Sequence, residues 1–526
     1  MQALRAWLVL PLALVALSGC LGDEETVETV DPDPGTLAPL WILDAARNNL
    51  TAADFSETVP SFELVKASDR ISGEPTIGIT RQGTIFYPAI DFDAVRGLPK
   101  TVYMRSTDGG STWEETSPKM AGVETHPTSF DPYVYVDPTT GRVFAMDMGP
   151  HVACNKVSWS DDEGETWVTR DGACIPGIND HPTIFAGPAT AATNTAVYPN
   201  QVYICTNQIT DSICYQSPDG GINWIATAPA YLGYDPERWQ PPSEPSEAGV
   251  VRSVFSGLCG GLHGHGHASW ADGTVYLGRD WCGEPSVAVS HDGGLTFTKV
   301  RISDDPKHSP SEHDVSIGTD TAGTAYALWL GDKARSAYLS VSKDKGLTWS
   351  EPANVTAPGV TAMKFPSLVA GSEGRIAFLY VGTENPYGND AGKLREGCID
   401  RSKSYCYEYP DAYNNSTWNA YVGISLNGDS EEAVFVTTMA NAADEPLKRG
   451  TCSGRCFGDK GGMYDFLDID IDPTSGSVYL ALVDVCSGEC DGPGKGKFDV
   501  QEHSVGTVAR QLGGVTLLAE PLAERK

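Results

Sequence analysis

Positive charge is scarce in this chain: 37 Lys and Arg stand against 69 Asp and Glu, a formal net charge of −32 over 526 residues. That balance argues against nucleic acid or anionic lipid as partners, because both need a basic face, and it predicts an acidic, solubilising surface. Long apolar runs are lacking too. Trp7 to Leu17 is apolar but too short to span a bilayer. Zinc-type cysteine spacing is also missing. The pairs Cys452/Cys456 (CSGRC) and Cys486/Cys490 (CSGEC) are not C-x-x-C, which favours disulfides there over a four-thiolate zinc site.

Glycine (56) and proline (35) are plentiful, as expected of many short strands joined by turns. One eight-residue stretch recurs: STDGGSTW from Ser106, SDDEGETW from Ser160, SPDGGINW from Ser217, SHDGGLTF from Ser290 and SKDKGLTW from Ser342. The copies start 52 to 73 residues apart, a blade-scale recurrence of the kind that marks radial β-architectures. Each copy reads as a hairpin turn: Asp bonds nearby backbone, Gly supplies positive φ, and the aromatic packs on the layer beneath. The pattern S-x-D-x-G-x-T-W resembles the Asp-box, or BNR repeat, of sialidases and related β-propellers. In that family the boxes lie on the face opposite the active site, so the resemblance implies that these aspartates are structural turn locks.

Seven strand pairs joined by tight turns can be read along the chain. They are 75–80 with 83–87, 133–136 with 142–145, 183–185 with 201–204, 268–270 with 274–277, 315–317 with 324–328, 367–369 with 375–379, and 466–471 with 477–481. The sixth carries a worn box at Ser425 to Asp429. The expectation is therefore an all-β, seven-bladed β-propeller with Asp-box hairpins over 61–520. Closure requires strands from both chain ends in one blade, and Ser61 to Val65 with Gly514 to Leu518 are the candidates.

Ahead of the propeller, Arg5, the apolar run and LSGC ending at Cys20 read as an export signal over 1–20. LSGC resembles the lipobox of prokaryotic lipoproteins, which implies lipidation of Cys20 and a place on the extracellular face of the cell membrane; a plain secretory signal is the alternative. Residues 21–60, acidic and proline-containing, read as a tether, with a short helix expected over Trp41 to Leu50. Removing Cys20 from the 13 cysteines leaves an even 12 in an oxidising compartment. Near neighbours pair as Cys154 with Cys174, Cys205 with Cys214, Cys259 with Cys282, and Cys398 with Cys406.

If the boxes close one end of the ring, the starts of the first strands and the ends of the second strands lie at the other end. The starts are Glu74, Asp131, His181, His267, His313 with Asp314, Lys364 and Asp465, and the second-strand ends add Arg279 and Asp280. Three explanations compete for this polar ring. It is ordinary solvated loop chemistry; or it is a metal site, with His181, His267, His313 and Asp131 as ligands for calcium or zinc; or it hydrolyses a glycoside. The sialidase resemblance implies, for the last, an arginine triad for the substrate carboxylate, a tyrosine nucleophile paired with Glu and an aspartate acid/base. Arg279 and Tyr464 stand where one arginine and the nucleophile would be, with Asp131, His181, His313, Asp314, Asp280 and Asp465 as further catalytic candidates.

The family's Arg-Ile-Pro motif, however, is absent. Its place reads GEPT from Gly73, with Arg70 and Ile71 early and no proline after them, and Glu74 there would repel a carboxylate substrate. The expected function is thus a surface-anchored, sialidase-like propeller acting as a glycosidase-like hydrolase on an extracellular glycan or glycoprotein. A non-catalytic glycan- or protein-binding propeller is the alternative, and in either case a monomer is expected, touching the membrane only through its lipid.

Overall fold

The computed structural model describes residues 40–44, 59–91, 100–120, 123–124, 130–148, 155–172, 180–190, 197–207, 211–231, 263–311, 315–385, 393–394, 407–408, 416–449, 463, 465–485 and 504–520. Seven antiparallel sheets stand around one axis, each ordered from its innermost strand outward. Blade one holds Gly78–Ile79, Ile85–Asp91, Lys100–Ser106 and Glu114–Glu115, and blade two Phe130–Val136, Val143–Met148, Lys156–Ser160 and Val168–Asp171. Blade three is Asp180–Pro188, Asn200–Asn207, Ser212–Ser217 and Ile225–Pro229; blade four is His267–Ala268, Val275–Trp281, Glu284–Ser290 and Thr298–Arg301. Blade five is Val315–Thr319, Ala325–Gly331, Ser336–Ser342 and Ala353–Asn354, and blade six is built on Ala362–Ala370, Ile376–Thr383, Thr417–Ser425 and Val434–Met439. Blade seven takes Asp468–Ile471, Val478–Asp484 and Val505–Gly513 from the C-terminal side and Ser61–Gly73 from the N-terminal side. All seven expected strand pairs are present as the first two strands of the seven blades.

Closure uses Ser61 as expected, but its partner differs. Phe62 pairs with Gln511 and Leu64 with Ala509, so the C-terminal strand is Val505–Gly513 rather than Gly514 to Leu518. The latter segment is occupied elsewhere: Leu517 N donates to Gly476 O and Ser372 N to Leu517 O, tying blade seven to blade six. The far end of the N-terminal strand, Ser72 and Gly73, pairs with Asp91 and Ile90 of blade one, so one strand links the last blade to the first. A second difference lies at Leu40–Asp44, expected at the start of a short helix. It pairs instead with Val434–Met439 as a fifth strand on blade six, where a sheet edge offers unpaired backbone groups that a Trp- and Ile-bearing segment satisfies.

Second strands are the most enclosed. Ile85–Asp91, Val143–Met148, Ala325–Gly331 and Ile376–Thr383 are buried at every position, because each blade is covered on both faces by its neighbours. This is why those segments read as apolar runs rather than as alternating strands.

The five boxes share one bonding pattern at the turn between third and fourth strands. In blade four, Ser290 Oγ accepts from Gly294 N (2.8 Å) and donates to Asp292 Oδ1 (2.8 Å). Asp292 also accepts from Thr296 N (2.9 Å) and Thr296 Oγ1 (2.7 Å). Asp108, Asp162, Asp219 and Asp344 repeat it. Donors from Thr112 and Ser106 hold the Asp108 carboxyl down at about 2. Positive φ is obligatory at the box glycine: at Gly164 (φ 81°) a Cβ would also lie 2.6 Å from Phe86 Cε1. In the worn sixth box the neutral Asn427 Oδ1 accepts from Ser425 Oγ (3.2 Å) and Val434 N (3.0 Å), a weaker form of the same lock.

Cys205 and Cys214 form the expected disulfide between adjacent strands of blade three. Cys282 is also disulfide-bonded. Its expected partner Cys259, the other paired cysteines and Cys20 lie outside the described residues.

Candidate active site at the channel mouth

Away from the boxes, four first strands begin with the same unusual device. Glu74, Asp131, His181 and Phe365 have φ of 50°, 44°, 50° and 57°, and each precedes a proline. A non-glycine residue at positive φ is uncommon, and the ring of a following proline restricts it further, so each is a strained position. The local register breaks there too, between Asp180 and Thr183 in blade three and between Lys364 and Ser367 in blade six. Such bulges re-aim a side chain. Three of them aim a polar group into a ring running from blade to blade, whereas Phe365 is buried in the core between blades six and seven.

Within that ring Glu74 hydrogen-bonds to Asp131, and Asp131 Oδ2 accepts from His181 N at 2.9 Å. His181 Nδ1 meets His263 O at 2.9 Å; a carbonyl only accepts, so Nδ1 carries the proton in the neutral ring. Glu74, Asp131 and His181 are 4%, 7% and 3% exposed, so these contacts form in a nearly dry setting. Burial, reinforced by the charges of Asp131 and Asp465, pushes the Glu74 carboxyl well above its usual range. The protonated form is therefore favoured there, and its Oε2 has no hydrogen-bond partner among the described residues.

The histidine-glycine run of blade four crosses this mouth. His263 N donates to Asn207 Oδ1 (3.1 Å) and its Nδ1 meets Ser212 Oγ (2.9 Å), both in blade three. His265 Nδ1 lies 3.5 Å from Asp468 Oδ1 of blade seven, and its ring stacks at 6.1 Å on His181 and stands edge-on to Tyr133 at 4.8 Å. His267 Nε2 bonds Thr319 Oγ1 of blade five at 2.7 Å. Three imidazoles thus serve three blades instead of sharing one side, as alternation in an extended strand predicts. The glycines permit the crossing: a Cβ at Gly264 would lie 2.9 Å from Val315 O, and one at Gly266 would lie 2.2 Å from Phe185 Cε1. Burial lowers His263 to about 3, helped by the Arg279 charge, and lowers His267 to about 4.

The structure brings together Asp131 and His181, with Asp465 acting on Glu74 through its charge. His267 is committed to Thr319. Arg279 is fully buried in a nest of its own beside Tyr231 and Trp281, and Asp280 next to it bonds Gly283 N, with burial raising its carboxyl to about 6. His313, Asp314 and Tyr464 lie outside the described residues. Among the described residues no group of three or more His, Cys, Asp or Glu is arranged to hold a metal ion, so His181, His267 and Asp131 do not form such a group. Arg70, the arginine near the missing triad motif, pairs with Asp91 (2.7 Å) and Glu115 (2.6 Å). Sequence reasoning gave no role to Asp468, nor to Phe466, whose ring stands edge-on to His181 at 5.1 Å and to His265 at 5.4 Å, although the signal for the strained ring was visible as X-Pro at successive strand starts.

No family model matches the sequence, and no curated protein does. Among solved structures, an unknown-function protein from Dyadobacter fermentans is 13% identical, covering 86% of this chain and 98% of that one at a TM-score of 0.39. The intramolecular trans-sialidase from Ruminococcus gnavus is 13% identical, with 90% and 99% covered and a TM-score of 0.38. Penicillium chrysogenum alpha-L-arabinanase is 12% identical, with 61% and 93% covered and a TM-score of 0.37.

Proposed function

We propose that the propeller is a glycosidase-like hydrolase of an extracellular glycan, with Glu74 as general acid at the channel mouth. The observation that supports this reading is a buried carboxyl beside Asp131, pushed toward its protonated form by burial, with one oxygen unpartnered among the described residues at the start of a strained strand. Glu74 would give its proton to the glycosidic oxygen as the C–O bond breaks, and Asp131 would restrain where the resulting charge settles. Glu74 and Asp131 share a hydrogen bond, which is closer than the roughly 5 to 9.5 Å between the paired carboxyls of ordinary glycosidases. They therefore act as one proton-sharing unit, and Asp465, from blade seven, takes the proton of the attacking water. Anchoring through a lipidated Cys20 is part of the same proposal and rests on the LSGC tetrapeptide after an apolar run.

A non-catalytic glycan-binding module is the second reading, favoured by how little of Glu74, Asp131 and His181 reaches solvent. Incubating the purified chain with a glycan panel, and scoring both retention and released sugar, separates the two. Release by the wild type that is lost in Glu74→Gln, with retention kept, supports the hydrolase. Retention without release in the wild type selects the binding module.

A further inference from the structure

Arg279 is 0% exposed, yet no carboxylate among the described residues forms an ion pair with it. Among the described residues its only hydrogen bond is from Nη1 to Ser212 Oγ (3.1 Å), and Nε and Nη2 have no partner there. The guanidinium sits over the rings of Tyr231 (5.3 Å) and Trp281 (5.9 Å), which are themselves stacked. Asp211 and Asp280 are near enough to feel its charge, but Asp211 Oδ1 accepts from Ser212 N and Tyr231 N, and Asp280 Oδ1 from Gly283 N. Ring faces attract a cation but do not accept the in-plane N–H groups, so a buried guanidinium is left with unsatisfied donors.

The same serine gathers further groups. Ser212 Oγ donates to Asn207 Oδ1 (3.3 Å) and meets His263 Nδ1 (2.9 Å). Asn207, 1% exposed, has an unpartnered Nδ2. The free positions of Arg279 and Asn207 are all donors, and the one cation among them is enclosed. Water would satisfy some of these N–H groups but adds nothing to the partial charge balance that Asp211 and Asp280 supply without hydrogen-bonding to the guanidinium.

We propose that the Arg279 nest between blades three and four holds a small inorganic anion of the halide type, bound by Arg279 Nε and Nη2 with Asn207 Nδ2 as a further donor. Complete enclosure selects a monatomic ion over a carboxylate-bearing substrate, which separates this site from the chemistry at the mouth. The bound ion would lock the two blades that meet at Ser212, and so hold His263 and the carbonyl that orients His181.

Unfolding midpoints of the wild type and Arg279→Met, measured in sodium chloride and in sodium gluconate at equal ionic strength, test this. Arg279→Met supplies the baseline for general salt effects. The wild-type midpoint should climb saturably with chloride or bromide, by on the order of 2 °C over that baseline. In gluconate the variant should match or exceed the wild type, because a buried guanidinium with unsatisfied N–H groups has been removed. A wild type that responds to chloride no more than the variant overturns the proposal. Should Arg279→Met fail to fold, the chloride NMR line width with wild-type protein decides alone: broadening reversed by bromide supports the site, and an unbroadened line refutes it.

Discussion

Asp470 offers a direct test of how this ring handles carboxyls. It lies two residues from Asp468 on the innermost strand of blade seven, so the two share a face, and both act electrostatically on Tyr133 of blade two. Burial, then the charges of Asp468 and Asp472, raise its carboxyl from 3.8 to about 8 against the hydrogen bond from Ile471 N. The fold therefore binds a proton that the unfolded chain has released, and stability is full below the unfolded value and falls as pH rises toward 8. About four pH units at ~1.4 kcal/mol each set a ceiling near 6 kcal/mol. Asp470 is only half-buried, and the water reaching it reduces the expected effect to about 2–4 kcal/mol. Asp470→Asn keeps the acceptor for Ile471 N and cannot ionise. Urea unfolding at intervals from pH 4.5 to 8.5 should show variant and wild type nearly equal at the acid end, with the variant pulling ahead as pH rises. Parallel curves across that range would refute the reasoning.

Two further outcomes follow from single contacts. Asp292→Ala removes the acceptor for Ser290 Oγ, Thr296 N and Thr296 Oγ1, and should cost about 1–2 kcal/mol in urea unfolding at pH 7 while Asp292→Asn costs less. Gly266→Ala places a Cβ 2.2 Å from the buried Phe185 ring and should cost about 1–3 kcal/mol, with loss of ligand retention because the histidine run can no longer cross the mouth; an unchanged midpoint would mean that the ring shifts freely.

The fold was legible because its signals are local. Each box encodes its own turn through a serine, an aspartate and a threonine, or Asn223 in blade three, within eight residues, and every first hairpin except that between Pro188 and Asn200 carries a short turn. What was misread depends on distant partners. Whether Val505–Gly513 or the residues after it close the ring is decided by register with Ser61–Gly73, across the whole chain. Likewise the pattern from Trp41 does not reveal that blade six leaves an edge free for Leu40–Asp44. At the site, topology alone located Glu74, Asp131 and His181 at one end. Their actual encounter depends on positive φ before proline, and the fanning of His263, His265 and His267 depends on glycines lying against Val315 and Phe185. Close approach between blades leaves no trace in hydrophobic periodicity.

The two ends of the ring treat the same functional group in opposite ways. At the box end, aspartates sit at or near the surface and collect three or more donors, so that Asp108 is held near 2 and the charge is fixed at any neutral pH. At the mouth, Glu74 is enclosed with other acids, has an oxygen without a donor among the described residues, and is pushed toward its protonated form. A turn lock is strengthened by a permanent charge and gains nothing from exchanging a proton. A group poised to give up a proton needs the reverse: few donors, low dielectric and an ionised neighbour to raise its affinity. Holding such a group costs stability, as do the non-glycine residues at positive φ before proline. Those costs are concentrated at one end of the molecule, while the repeated boxes at the other end bind each blade's outer hairpin. The asymmetry, rather than any single residue, is what supports placing the proposed chemistry at the mouth.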